Sequence, residues 1–145
     1  MPEDPKDRSA CTLNALRTAT RNTARLFDSA LAAVELRSTQ FTMLTMIEAY
    51  DGSPINELAR ILAMDRTTLT RNLKPLESRK LVRSATDEDK RVRRIHITPA
   101  GQKLLAAASP IWQRTQLDLV GKIGRDRWER LLEDLERVHG LVFSA

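Results

Sequence analysis

The segment from Ile55 to Lys80 constrains the fold more than any other part of the chain. Leu58, Ala59 and Leu62 recur at helical spacing and stop at Ala63-Met64. After Asp65 the pattern resumes with Leu69, Leu73 and Leu76. This predicts two short amphipathic helices joined by a tight turn, the first capped by Asn56 and the second by Asp65. At about 100° per residue the three leucines of the second helix define its buried face. Thr67, Arg71, Lys74 and Ser78 then lie opposite, Thr68 and Thr70 sit on the shoulders, and Arg66 stands at the N-terminal end. No carboxylate interrupts this outward face until Glu77. Pro75 removes a backbone donor, which predicts a kink or an irregular last turn.

The rest of the chain arranges itself around that pair. A first helix is expected from about Ser9 to Val34, with Leu16, Ala19, Thr23, Phe27, Ala30 and Val34 on one stripe. A second begins near Ser38 as N-cap and carries Phe41, Leu44, Ile47 and Tyr50. Asp51-Gly52-Ser53-Pro54 reads as a turn. Leu81 to Ala85 and Val92 to Thr98 read as two short strands, joined by the polar loop from Thr86 to Arg91. Thr98 as N-cap and Pro99 at the first helical position open a fifth helix, which Pro110 is expected to bend. A break over Gly121 to Gly124 leads to a last helix striped by Trp128, Leu131, Leu132, Leu135, Val138 and Val142.

Composition narrows the function classes. The chain has 145 residues, 41% hydrophobic and 30% charged, the balance of one soluble globular domain. No apolar run is long enough to cross a bilayer, and Met1 to Ala10 lacks the apolar stretch of a secretory signal, so a cytoplasmic protein without membrane partners is expected. Cys11 is the only cysteine, and His96 and His139 are the only histidines, far apart in sequence. A metal site or other cofactor has little to build on. No nucleophile–base pair and no glycine-rich phosphate loop is present, so an enzyme is not expected and no catalytic residue is assigned. The formal charge of +5 suits a polyanionic partner, although its distribution matters more than its sum.

That distribution points to double-stranded DNA. A helix presenting Arg66, Thr67, Thr68, Thr70, Arg71 and Lys74 offers hydroxyls and cations to a groove walled by phosphates. Arg71 has the fork geometry to read a guanine edge. A solvated helix face with incidental charges would look similar. The following hairpin tips the balance, because Arg79, Lys80, Arg83, Lys90, Arg91, Arg93 and Arg94 crowd directly after that helix. A basic hairpin beside a groove-reading helix suits the adjacent minor groove.

On these residues the chain resembles the MarR family of winged helix-turn-helix transcription regulators. The resemblance rests on Leu58-Ala59, on the run from Met64 to Leu73, on Leu76-Glu77 and on Leu81-Val82. Asp89-Lys90-Arg91, the closing Ile97-Thr98-Pro99-Ala100-Gly101 and the upstream run from Leu36 to Leu44 complete it. It implies a mainly α fold with a small β-hairpin wing, as a single domain over residues 1–145. A DNA-binding lobe would occupy about 37–98, with dimerisation helices at about 9–36 and 99–143. It further implies a homodimer on a palindromic operator, acting by default as a repressor, with Arg91 as the wing-tip residue. Asp89 would orient Arg91 through an ion pair; simple surface charge balance explains Asp89 equally well. Two positions depart from the family pattern. Glu35 stands where many members end the first helix with glycine, and Thr86-Asp87 replaces the usual Asp-Pro at the start of the wing.

The apolar stripe from Trp128 to Val142 supports a homodimer independently, since a monomer of this size would struggle to cover it along with the first helix. A small-molecule effector fits the family's commoner mode of control, in a cleft between the dimer helices and the lobe. A cleft rich in Leu, Met and Arg would suit an apolar or aromatic carboxylate. Two alternatives belong beside this reading. Cys11 near the start of the first helix could serve redox sensing, but no second cysteine is present to resolve an oxidised thiol, and an inert thiol is the better reading. A winged-helix module that binds protein rather than DNA would lack salt-dependent DNA affinity.

Overall fold

The computed structural model describes residues 4–86 and 91–143, with side chains described up to residue 141. The elements run in the order α1 (Thr12–Leu31), α2 (Ser38–Ala49), β1 (Ser53–Pro54), α3 (Ile55–Ile61), α4 (Arg66–Ser78), β2 (Val82–Thr86), β3 (Arg93–Ile97), α5 (Pro99–Ile123) and α6 (Arg125–Phe143). Single 3₁₀ turns at Arg8–Ala10 and Ala32–Val34 flank α1, so the helical span expected from Ser9 to Val34 is an α-helix only in its middle. The fold is mainly helical with a three-stranded antiparallel sheet in the order β1-β3-β2, the winged-helix class expected.

One apolar core holds the elements together. Leu31, Leu44, Ile47, Leu58, Leu69, Leu73, Leu76 and Ile95 are fully buried, drawn from α1 to α4 and β3. Burying each such side chain contributes about 1.5–3 kcal/mol. Trp112 on α5 joins the core to α1 and α2: its ring stacks on Phe41 at a centroid distance of 5.7 Å and meets Phe27 at 6.3 Å. Met43 is buried, and Tyr50 at the end of α2 is exposed.

Several boundaries differ from the sequence expectation. The N-cap of α2 is Arg37 rather than Ser38. Gln40 Oε1 accepts from the Arg37 backbone N–H at 3.0 Å, while Asp28 on α1 accepts from the Ser38 N–H at 2.6 Å. A carboxylate ten residues upstream thus satisfies an orphan donor that a local cap would otherwise serve. Asn56 is not a cap either: α3 starts at Ile55 directly after Pro54, with no side-chain cap. The reason is β1, which the turn cluster concealed; Ser53 and Pro54 pair with Ile95 and Arg94 of β3. The hairpin strands begin and end one residue away from the expected limits at all four ends.

Both α4 and α5 continue through Pro75 and Pro110. Both prolines lie at exposed positions, where the lost backbone bond is least costly because water can serve the freed carbonyl. The α5 break falls on Gly124 alone, at φ 89°, rather than over Gly121 to Gly124.

Three helices end on a residue in the left-handed region, and none of the three is glycine: Glu35 (φ 54°), Ala63 (φ 49°) and Lys80 (φ 56°). Each is followed by a backbone bond that reaches back to the helix, Leu36 to Leu31, Met64 to Ala59 and Leu81 to Leu76. Glu35 therefore ends the first helix with the geometry a glycine would adopt. Arg79 Nη1 donates to the Glu35 carbonyl at 2.7 Å, tying that turn to the end of α4.

Candidate nucleic-acid interface

The turn between α3 and α4 sets the recognition surface. Ala63, in the left-handed region, turns the chain within the four residues between Ile61 and Arg66. Asp65 then caps α4, accepting from the Thr68 backbone N–H at 2.8 Å and from its hydroxyl at 2.6 Å. These two Thr68 bonds hold the Asp65 carboxyl below the usual carboxylate range. Thr68 is therefore engaged by the cap as well as lying on the shoulder of the helix. With Leu69, Leu73 and Leu76 at 0% exposure, α4 is fixed in rotation. Arg66, Thr67, Arg71, Lys74 and Ser78 are exposed, and Thr68 and Thr70 are half-buried, as the helical period requires.

The wing rises directly from the end of α4. Strands β2 and β3 pair from Val82 with Ile97 to Thr86 with Arg93. Asp51 pins the sheet from the other side, accepting from the Ile97 N–H at 2.8 Å and facing His96 Nδ1 at 3.3 Å. Arg94 donates to the Gly52 carbonyl at 3.0 Å. Arg91 is exposed at the base of the tip. Lys90 and Asp89, the expected DNA contact and its orienting partner, lie outside the described residues.

Arg93 is placed differently from its neighbours. Its Nη2 meets Glu77 Oε1 at 2.7 Å and its Nε donates to Ser84 Oγ at 2.8 Å. Ser84 Oγ in turn donates to Glu77 Oε1. Both members of the ion pair are 28% exposed. Nothing in the spacing of Glu77, Ser84 and Arg93 marks this triangle, since it forms across three elements.

Away from the sheet, α1, α2, α5 and α6 enclose a groove of about 580 Å³. Phe27, Trp112, Trp128, Leu119, Thr42 and Gln116 line it, together with Met64 from the turn before α4. No charged side chain is among its lining residues. Within one chain this groove offers no charged partner to a buried carboxylate. Along α6 every side chain from Glu129 to Leu141 is exposed. Leu131, Leu132, Leu135 and Val138 stand 38–46% exposed on this helix. Cys11 is exposed and occupies the N-cap position of α1 without making a capping bond.

A groove-sized helix with a cationic, hydroxyl-bearing face, followed by a basic β-hairpin, defines a DNA-binding transcription regulator of the winged-helix class. The MarR family model matches residues 36–92. The fold is similar to a transcriptional regulator, MosR, of M. tuberculosis in complex with DNA, with 32% identity, 92% of this chain and 97% of that chain covered, and a TM-score of 0.84. It is also similar to the transcriptional repressor CouR bound to a 23-mer DNA duplex, with 26% identity, 96% and 99% coverage and a TM-score of 0.82. CouR bound to p-coumaroyl-CoA matches at 26% identity, 95% and 98% coverage and a TM-score of 0.81. The transcriptional regulator HosA of Escherichia coli is 29% identical over 100 residues, 68% of this chain and 74% of that protein. The chain belongs to the MarR family.

Proposed function

We propose that this protein is a cytoplasmic, effector-responsive repressor that binds a palindromic operator as a homodimer and catalyses no reaction. The observation that carries the DNA-binding part is the exposed face of α4, where Arg66, Thr67, Arg71 and Lys74 stand clear of the core. In this reading Arg71, with Thr67, Thr68 and Thr70, reads base edges in the major groove. Arg66 and Lys74 hold phosphates, and Arg91, with Lys90 beside it and Asp89 to orient it, enters the minor groove. Residues 37–98 form the DNA-binding lobe, and 9–36 with 99–143 form the dimerisation region. The exposed leucines of α6 and the uncovered N-terminal half of α1 support that assembly. Two recognition helices on a two-fold axis require a palindrome with half-sites about one helical turn apart.

The groove supports an effector that is apolar or aromatic where it is buried, with any charged group held outside. The match to the transcriptional repressor CouR bound to p-coumaroyl-CoA supports an effector-responsive reading. Selecting bound sequences from a random DNA pool tests the central claim: a palindrome is expected. In that complex Arg71→Ala should lose about 1–3 kcal/mol of affinity and relax preference at one base position. Arg91→Ala should weaken binding and leave major-groove preference intact. Full affinity in both variants would place the DNA surface elsewhere.

A further inference from the structure

Glu77 is the one carboxylate of α4, and it stands at the end of the helix nearest the wing. Electrostatics by itself makes it a liability beside phosphates. Its side chain is not turned to solvent, however. It receives Arg93 at 2.7 Å from β3 and the Ser84 hydroxyl from β2, while Arg93 Nε also donates to that hydroxyl at 2.8 Å. The three side chains close a ring that joins the last turn of α4 to both strands of the wing. Arg93 lies next to the tip, at the register position opposite Thr86.

We propose that Glu77, Ser84 and Arg93 form a clamp that sets the angle of the wing against the recognition helix. Arg93 is then a positioning residue for DNA binding and not a contact to DNA. The inference rests on the reading that α4 and the wing engage one duplex together. Two features favour the clamp over a DNA contact for Arg93. Its guanidinium is already shared between a carboxylate and a hydroxyl, and its side chain is only 28% exposed. Charge-assisted bonds of this kind are stronger than neutral ones, so a phosphate would have to displace a satisfied partner.

The sign of one substitution separates the two roles. Glu77→Ala removes a negative charge beside the phosphates and keeps a good helix former. If Arg93 contacts DNA, freeing it should tighten binding. With the clamp, Glu77→Ala weakens binding to the selected operator by about threefold to tenfold, Arg93→Ala does the same, and the double variant is no weaker than either single one. Ser84→Ala shifts affinity the same way by less. Amide hydrogen exchange of the free protein provides the second readout: β2 and β3 exchange faster in both single variants while α4 keeps its protection. Tighter binding by Glu77→Ala, or additive losses in the double variant, would overturn the clamp. A wild-type protein that enriches no DNA sequence defeats the proposed function instead. The clamp is then judged by exchange, and unchanged β2 and β3 protection would end it.

Discussion

The winged lobe and helix α6 handle apolar surface in opposite ways. In the lobe, leucines from three helices and Ile95 of the sheet sit at 0% exposure, and the turns between elements are closed by named bonds. Asp28 serves the start of α2, Asp65 the start of α4 and Thr98 the start of α5, where its hydroxyl accepts from the Gly101 N–H at 3.1 Å. Helix α6 is built from a similar aliphatic alphabet, yet Leu131, Leu132, Leu135 and Val138 remain open. The lobe is complete within one chain. No described residue covers the apolar side of α6 to the same degree, and an isolated amphipathic helix gains little stability without a partner for its apolar face.

The sharpest way to break this contrast is to disrupt the joint between lobe and α5. A Cβ on Gly101 would lie 2.1 Å from the Leu81 carbonyl oxygen, a backbone atom that cannot swing aside. Gly101→Val is expected to cost more than about 3 kcal/mol, read as a collapse of the thermal unfolding midpoint. A wild-type midpoint would show that α5 separates easily and that the lobe is not closed through it. Next in size, if the proposed homodimer uses α6, Leu132→Glu combined with Leu135→Glu should raise its dissociation constant by about a hundredfold or more while the lobe still unfolds cooperatively. Sedimentation measures the first and circular dichroism the second; an unchanged dimer would remove α6 from the interface.

Smaller effects sharpen the account of the lobe. The Ser38 N–H holds the Asp28 carboxyl below the usual carboxylate range, as Thr68 does for Asp65. A depressed folded value means that stability is fully present above the unfolded carboxylate value and is lost as pH falls through the folded one. Asp28→Asn should therefore flatten the acid side of the stability profile and lower stability at neutral pH. A profile identical to wild type would show that the carboxylate does not cap α2. Smallest of all, Ala63→Gly should stabilise the protein by about 0.5–1 kcal/mol, because only glycine adopts the left-handed turn without strain. A loss of stability there would show that the methyl group packs usefully in the turn.

Much of this molecule was legible in local chemistry. Leucines at helical spacing, Asp65 as a cap and Thr98-Pro99 as a helix start each depend on neighbours within one or two turns. The strand β1 was not legible, because two residues carry no period and their pairing partner lies about forty residues away. The caps on α2 were hidden for the same reason: Asp28 reaches Ser38 only once α1 and α2 have packed. Pro75 and Pro110 sit inside α4 and α5 without ending either helix. Within the candidate site, the outward face of α4 followed from the helix period, whereas the partner of Arg93 did not.

The sequence by itself determined the winged helix-turn-helix pattern, the face of α4 turned away from the core and the basic character of the hairpin. Those are consequences of side-chain periodicity and local hydrogen bonding, which are written along the chain. Only the tertiary structure decided which cations stand free and which are bound within the protein. Arg71 and Arg93 look alike in the sequence. One is exposed on α4, and the other is held by Glu77 and Ser84, because an ion pair depends on distance in space and not on separation along the chain.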